Sequence, residues 1–82
     1  MNLGCVYRVL KVLICAKTRV LSVQILTSET GYPYETVVEC LRELEKLGVV
    51  KTGSIGRVRI VELVRTSPLT TIVEQLIRMY TP

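Results

Sequence analysis

The 82-residue chain has no histidine and no aspartate, and only three cysteines. Without histidine there is no imidazole to shuttle a proton or hold a metal near neutral pH. No nucleophile–base pairing of the usual kind can be assembled from what remains. Cys5, Cys15 and Cys40 are far apart in sequence, with no Cys-x-x-Cys or Cys-x-Cys, so a thiolate zinc site lacks its ligands. Buried free thiols acting as small hydrophobes are the plainer reading, and one cysteine–cysteine bridge stays open beside it. Gly53-Ser54-Ile55-Gly56 is too short for a phosphate-cradling loop. These absences argue against an enzyme and against any metal or other cofactor. Long apolar runs are missing too. The longest uncharged stretch, Val20–Ser28, falls far short of the ~18–20 residues that span a bilayer. Arg8 and Lys11 break the one apolar run near the N-terminus, against a secretory signal. The expectation is a cytoplasmic protein without a membrane partner.

What is present is mostly apolar. The hydrophobic fraction is 49% and the mean hydropathy +0.40. A single domain of this length, residues 1–82, buries only roughly 60–65% of its unfolded surface. The apolar excess therefore predicts a face covered by a second subunit. The net charge is +4, which allows nucleic acid as a partner without requiring it. Residues 1–33 and 48–65 are basic, whereas 34–47 set four glutamates against Arg42 and Lys46. Basic segments thus flank an acidic one.

Residues 3–17 have helical periodicity, with Leu3, Val6, Leu10 and Leu13 on one stripe and Cys5, Val9, Val12 and Ala16 on a second. The polar side is narrow, with Arg8 and Lys11 as its solvated part, so this helix should be buried on more than one side. Arg19-Val20-Leu21 suits a short strand. Ser22 is a good N-cap for the next helix, Gly31 a left-handed terminus for it, and Pro33 fits the first turn of the following one. Over 33–47, Val37, Cys40, Leu41, Leu44 and Leu47 recur at spacings of three and four, an amphipathic helix closed by Gly48. Val49–Thr52 and Arg57–Val64 are β-rich, and Gly53–Gly56 between them marks a hairpin tip. Ser67-Pro68 opens a last helix, 69–80. Its apolar face would be Leu69, Ile72, Val73, Leu76, Ile77 and Tyr80, with Thr70, Glu74, Gln75 and Arg78 opposite.

Helix, short strand, helix, helix, hairpin, helix is an α+β order. With the spacing of Gly31, Val37, Leu41, Leu44 and Gly48-Val49-Val50, residues 3–65 resemble the winged helix-turn-helix family, in particular small regulators of the MarR and ArsR kinds. The resemblance implies that the helix over 33–47 enters the major groove of double-stranded DNA. The positions facing DNA would then be Tyr34, Glu35, Thr36, Val38, Glu39 and Arg42. Thr36 offers a hydroxyl, Arg42 a fork for guanine or phosphate, and Tyr34 a ring and hydroxyl for the backbone. Glu35, Val38 and Glu39 depart from the family's pattern. A carboxylate near DNA is repelled unless a cytosine amine donates to it. Alternatively, Glu35 favours the helix dipole and Glu39 pairs with Arg42 three residues on. The hairpin would be the wing, with Lys51, Arg57 and Arg59 for phosphate, or else merely charges guarding an exposed edge. The resemblance further implies a homodimer joined by the end helices, through Leu3, Val6, Leu10 and Leu13 with Leu69, Ile72, Val73, Leu76, Ile77 and Tyr80. The function implied is a homodimeric transcriptional regulator that binds DNA. The alternative is a winged helix that contacts another protein through its acidic second motif helix.

Overall fold

The computed structural model describes residues 2–80; residues 1, 81 and 82 of the expected single domain lie outside the described residues. The chain runs α1 (Leu3–Cys15), β1 (Val20–Ser22), α2 (Val23–Thr30), α3 (Tyr34–Lys46), β2 (Val50–Ile55), β3 (Val58–Leu63) and α4 (Pro68–Tyr80). This is the expected order, and the sequence signals that mark its joints are physical ones. The Ser22 hydroxyl accepts from the Ile25 N–H at 3.1 Å, and Gly31 ends α2 at φ +77°. At the end of α3 the Gly48 N–H reaches the Glu45 carbonyl and the Val49 N–H the Leu44 carbonyl, both at 3.0 Å. Gly48 holds φ +75° there, so the paired bonds form a Schellman motif that satisfies two orphan carbonyls. α1 is capped by the Asn2 side chain, which accepts from the Cys5 N–H. It ends at Cys15, earlier than expected, because Ala16 is already extended.

The sheet has the order β1-β3-β2 and is antiparallel throughout. Side chains alternate across it. Val50 on β2 and Val61 and Leu63 on β3 are buried against the helices, while Lys51 and Glu62 pair across the outer face. The core lies between α1, α2, α3 and the inner face of the sheet, with Val9, Leu26, Val37 and Val61 fully enclosed. Each such side chain contributes about 1.5–3 kcal/mol relative to exposure.

Three expectations are corrected. Leu10 and Leu13 of α1 and Ile77 of α4 are buried in the subunit's own core, so they are not available to a partner surface. The helix simply presents five inward residues, Ile14 among them, over more of its circumference than two stripes allow. Thr70, assigned to the polar side of α4, is buried as well. It lies over the entry to β2 with its hydroxyl donating to the Val49 carbonyl at 3.5 Å, so α4 turns Thr70, Val73 and Ile77 inward. The hairpin tip is shorter than the glycines suggested. Strand pairing continues to Ile55 opposite Val58, leaving Gly56-Arg57 as a two-residue turn. Gly56 at φ +61° with no positive φ at Arg57 is the type II′ pattern that suits strand twist.

Candidate nucleic-acid interface

α3 buries Val37, Cys40, Leu41 and Leu44 and so must point the intervening residues outward. Tyr34, Glu35, Glu39 and Arg42 are exposed, and Thr36 and Val38 half-buried. The outward residues divide between two grooves. On the wing side, Val38 and Arg42 share a groove with Thr52, Ser54 and Arg59. A smaller depression beside it brings Tyr34 against Arg57, Arg59 and Gln24 of α2. On the other side, Thr36, Glu39, Glu43 and Arg42 line a groove with Asn2. Tyr34, Val38, Arg42, Arg57 and Arg59 are therefore brought together; Thr36 and Glu39 face away from them. Glu35 lies in the first turn of α3, where its charge complements the dipole.

Arg59 belongs to the inner side of the sheet, in register with Ser54, and continues beyond the core toward α3. Arg57 is at the turn rather than on a strand. The expectation that Lys51 joins them is not met. It points to the outer face, 3.6 Å from Glu62.

Pairing separates the arginines sharply. Arg19 and Arg65 pair with Glu62 and Glu74, and Arg78 also reaches Glu74. Arg8 donates to the Thr30 carbonyl at 3.0 Å and lies over the Tyr32 ring at 5.7 Å. It closes the C-terminus of α2 rather than forming a merely solvated stripe. Gly4 lets Tyr32 approach, since a Cβ there would lie 2.6 Å from its hydroxyl. Among the described residues, only Arg42, Arg57 and Arg59 of the arginines have no salt bridge or hydrogen-bond partner. All three sit where α3 meets the wing. Glu39 and Arg42 form no salt bridge among the described residues; instead Glu43 pairs with Lys46 at 3.6 Å.

Sequence reasoning missed the connection that sets this geometry. Glu45 of α3 accepts the Thr52 N–H at 3.0 Å and the Thr52 hydroxyl at 3.1 Å, tying β2 to the helix. Nothing in the local pattern of a polar strand residue announces a carboxylate seven positions earlier. Gln24 was also missed, although Ser22 as N-cap places it in the first turn of α2.

The three thiols are free. Cys15 is exposed, while Cys5 and Cys40 are buried. Burial raises both buried thiols, Cys40 to about 12 with Cys5 alongside adding to it. They are hydrophobic contacts between α1 and α3, not nucleophiles. Among the described residues no group of three or more His, Cys, Asp or Glu is placed to hold a metal. No described helix is long and apolar enough to cross a membrane.

Four helices and a three-stranded sheet whose β2–β3 hairpin stands beside the third helix define a winged helix-turn-helix. The fold matches a transcriptional regulator of the MarR family from Silicibacter pomeroyi with a TM-score of 0.78 and 19% identity, over 94% of this chain and 50% of that one. It also matches Sso10a-2, a DNA-binding protein from Sulfolobus solfataricus, with a TM-score of 0.69 and 17% identity, over 98% of this chain and 81% of that one. The chain thus spans half the length of the MarR-family structure. No protein-family model and no curated protein matches the sequence.

Proposed function

We propose that the protein is a cytoplasmic, homodimeric transcriptional regulator that binds double-stranded DNA through α3 and the wing. The observation that carries this reading is the clustering of the three unpartnered arginines, Arg42, Arg57 and Arg59, at that junction. An unpaired guanidinium costs little in water and is available to phosphate or to a guanine edge. In this arrangement Arg42 offers its fork from the exposed side of α3. Tyr34 presents ring and hydroxyl to the backbone, and Arg57 and Arg59 anchor the wing. The dimer would join the outward apolar residues of α4, Leu69, Ile72, Leu76 and Tyr80, with Leu3 and Val6 of α1, placing two α3 helices in successive major grooves.

The test is anisotropy titration of random duplex DNA at two salt concentrations. Arg42→Ala and Arg59→Ala should weaken binding to every duplex, each lowering the salt slope by roughly one unit. Unchanged affinity in the double variant would remove this junction from the binding surface.

One observation favours a second reading, a protein-contact module. Four glutamates sit on α3, and Glu39 faces the groove away from Arg57 and Arg59. That reading predicts weak duplex binding and salt-sensitive capture of a basic partner instead.

A further inference from the structure

The chain's surplus charge does not come from α3 and the wing taken together. Counted over both sides of α3 and the wing, Arg42, Lys46, Arg57 and Arg59 are matched by Glu35, Glu39, Glu43 and Glu45, leaving no net charge. Arg8 and Lys11 against Glu29 leave a surplus of one. The remaining cations, Lys17, Arg19, Lys51, Arg65 and Arg78, face only Glu62 and Glu74, a surplus of three.

Four of those cations are drawn together from separate segments. Lys17 and Arg19 come from the connection after α1, Lys51 from β2 and Arg65 from the turn before α4. All four line one concave groove around Glu62 on the outer side of the sheet, with Thr18 and Thr66 beside them. Each carboxylate here holds two cations: Glu62 meets Arg19 and Lys51, and Glu74 meets Arg65 and Arg78. Hydrogen bonding from Arg19 holds Glu62 below the usual carboxylate range, so it stays ionised and keeps its cations in place. Two cations per carboxylate fix the geometry without cancelling the positive field.

We propose that this outer groove, centred on Lys17, Arg19, Lys51 and Arg65, binds the phosphate backbone of a second DNA duplex. Its occupant follows from charge complementarity: a line of phosphates is the polyanion whose release of counterions rewards several closely spaced cations at once. Lys51 and Arg59 point to opposite faces of the hairpin, so one straight duplex cannot engage both surfaces. Occupation of both joins two duplexes. The inference rests on the reading that α3 and the wing hold the first.

The experiment immobilises one 30-base-pair duplex, adds protein, and measures capture of a second, fluorescent duplex at two salt concentrations. Wild-type protein should capture it. Lys17→Gln/Lys51→Gln/Arg65→Gln should bind the first duplex within about twofold of wild type but capture the second at least tenfold less, with a salt slope lower by about two to three units. The single variant Lys17→Gln, which breaks no ion pair, should lower the slope by about one unit. Thermal melts of each variant check that it is folded. Capture by the triple variant at the wild-type level overturns the inference, because a dimer would then be bridging through its two α3 surfaces. Wild-type binding of the first duplex without capture of a second overturns it while leaving the α3–wing reading intact. Absence of any duplex binding sinks both.

Discussion

Glu39 lies in the groove on the far side of α3 from Arg57 and Arg59, with Arg42 on its rim. If α3 approaches DNA, its carboxylate is a repulsive charge near phosphate rather than half of a local ion pair. Glu39→Gln removes that charge while keeping shape. Affinity for random duplex DNA should tighten by about 0.5–1 kcal/mol at low salt and by less as screening grows. A loss of affinity confined to selected duplexes would instead mark Glu39 as accepting from a cytosine amine. The cysteines offer a second check at the same scale. Native protein treated with iodoacetamide at pH 8 should be labelled at Cys15 alone, with Cys5 and Cys40 reacting only after denaturation, as mass spectrometry would read. Because Cys40 is raised from about 9 to about 12, the folded state retains its proton longer than the unfolded state does. Its contribution to stability is therefore full below about pH 9 and is lost as pH climbs toward 12. Labelling of Cys40 in the native state at pH 8 would show that the α1–α3 packing opens readily.

At the scale of elements, the hairpin separates what the sequence discloses from what it hides. Its two strands and their glycine-rich joint are legible, but which glycine makes the turn is not. Gly53 and Gly56 look alike in sequence, and only the register of β2 on β3 decides. Gly56 holds φ +61°, so Gly56→Ala should destabilise the fold by about 1–2 kcal/mol. At Gly53 an added Cβ would meet the Ile60 side chain at an ordinary 3.9 Å, and Gly53→Ala should be neutral or slightly stabilising. Equal melting temperatures for the two variants would refute the assignment of the turn. The caps at Ser22, Gly31 and Gly48 were readable for the opposite reason, since each is dictated by its immediate neighbours. The inward face of α4 was not. Thr70 looks polar, and its burial follows from a hydroxyl donor meeting a carbonyl more than twenty residues away. Of the candidate site, the outward exposure of Tyr34, Glu35, Glu39 and Arg42 on α3 was legible from helical period. The Glu45–Thr52 tie and the division of Lys51 from Arg59 depend on tertiary pairing.

The molecule as a whole has a radius of gyration of 11.7 Å, which matches the ~12 Å of an ordinary compact domain of this length. Its core is closed without a partner. Yet α4 leaves Ile72 56%, Leu76 50%, Met79 75% and Tyr80 77% exposed, the surface on which the proposed dimer rests. Ile72→Glu/Leu76→Glu should therefore yield a folded monomer by sedimentation and circular dichroism. Ile77→Glu, which places a charge in the core, should cost several kcal/mol and unfold the chain. A wild-type protein that sediments as a monomer at micromolar concentration would remove the dimer.

The tie between Glu45 and Thr52 reaches beyond the positioning of the wing. Among the described residues β2 has a neighbour on one side only, and the Thr52 N–H, which donates to Glu45, points away from β3. Such open-edge donors are what an incoming strand would use to extend the sheet from one molecule into the next. By occupying that donor, the carboxylate removes one pairing site for such a strand, in a hairpin that also exposes Ile55 and Val58. Glu45→Ala should leave the monomer folded but bring thioflavin-positive assembly at high concentration, whereas wild-type protein at the same concentration stays clear. Equal lag times for the two would mean that the exposed edge is held in check elsewhere.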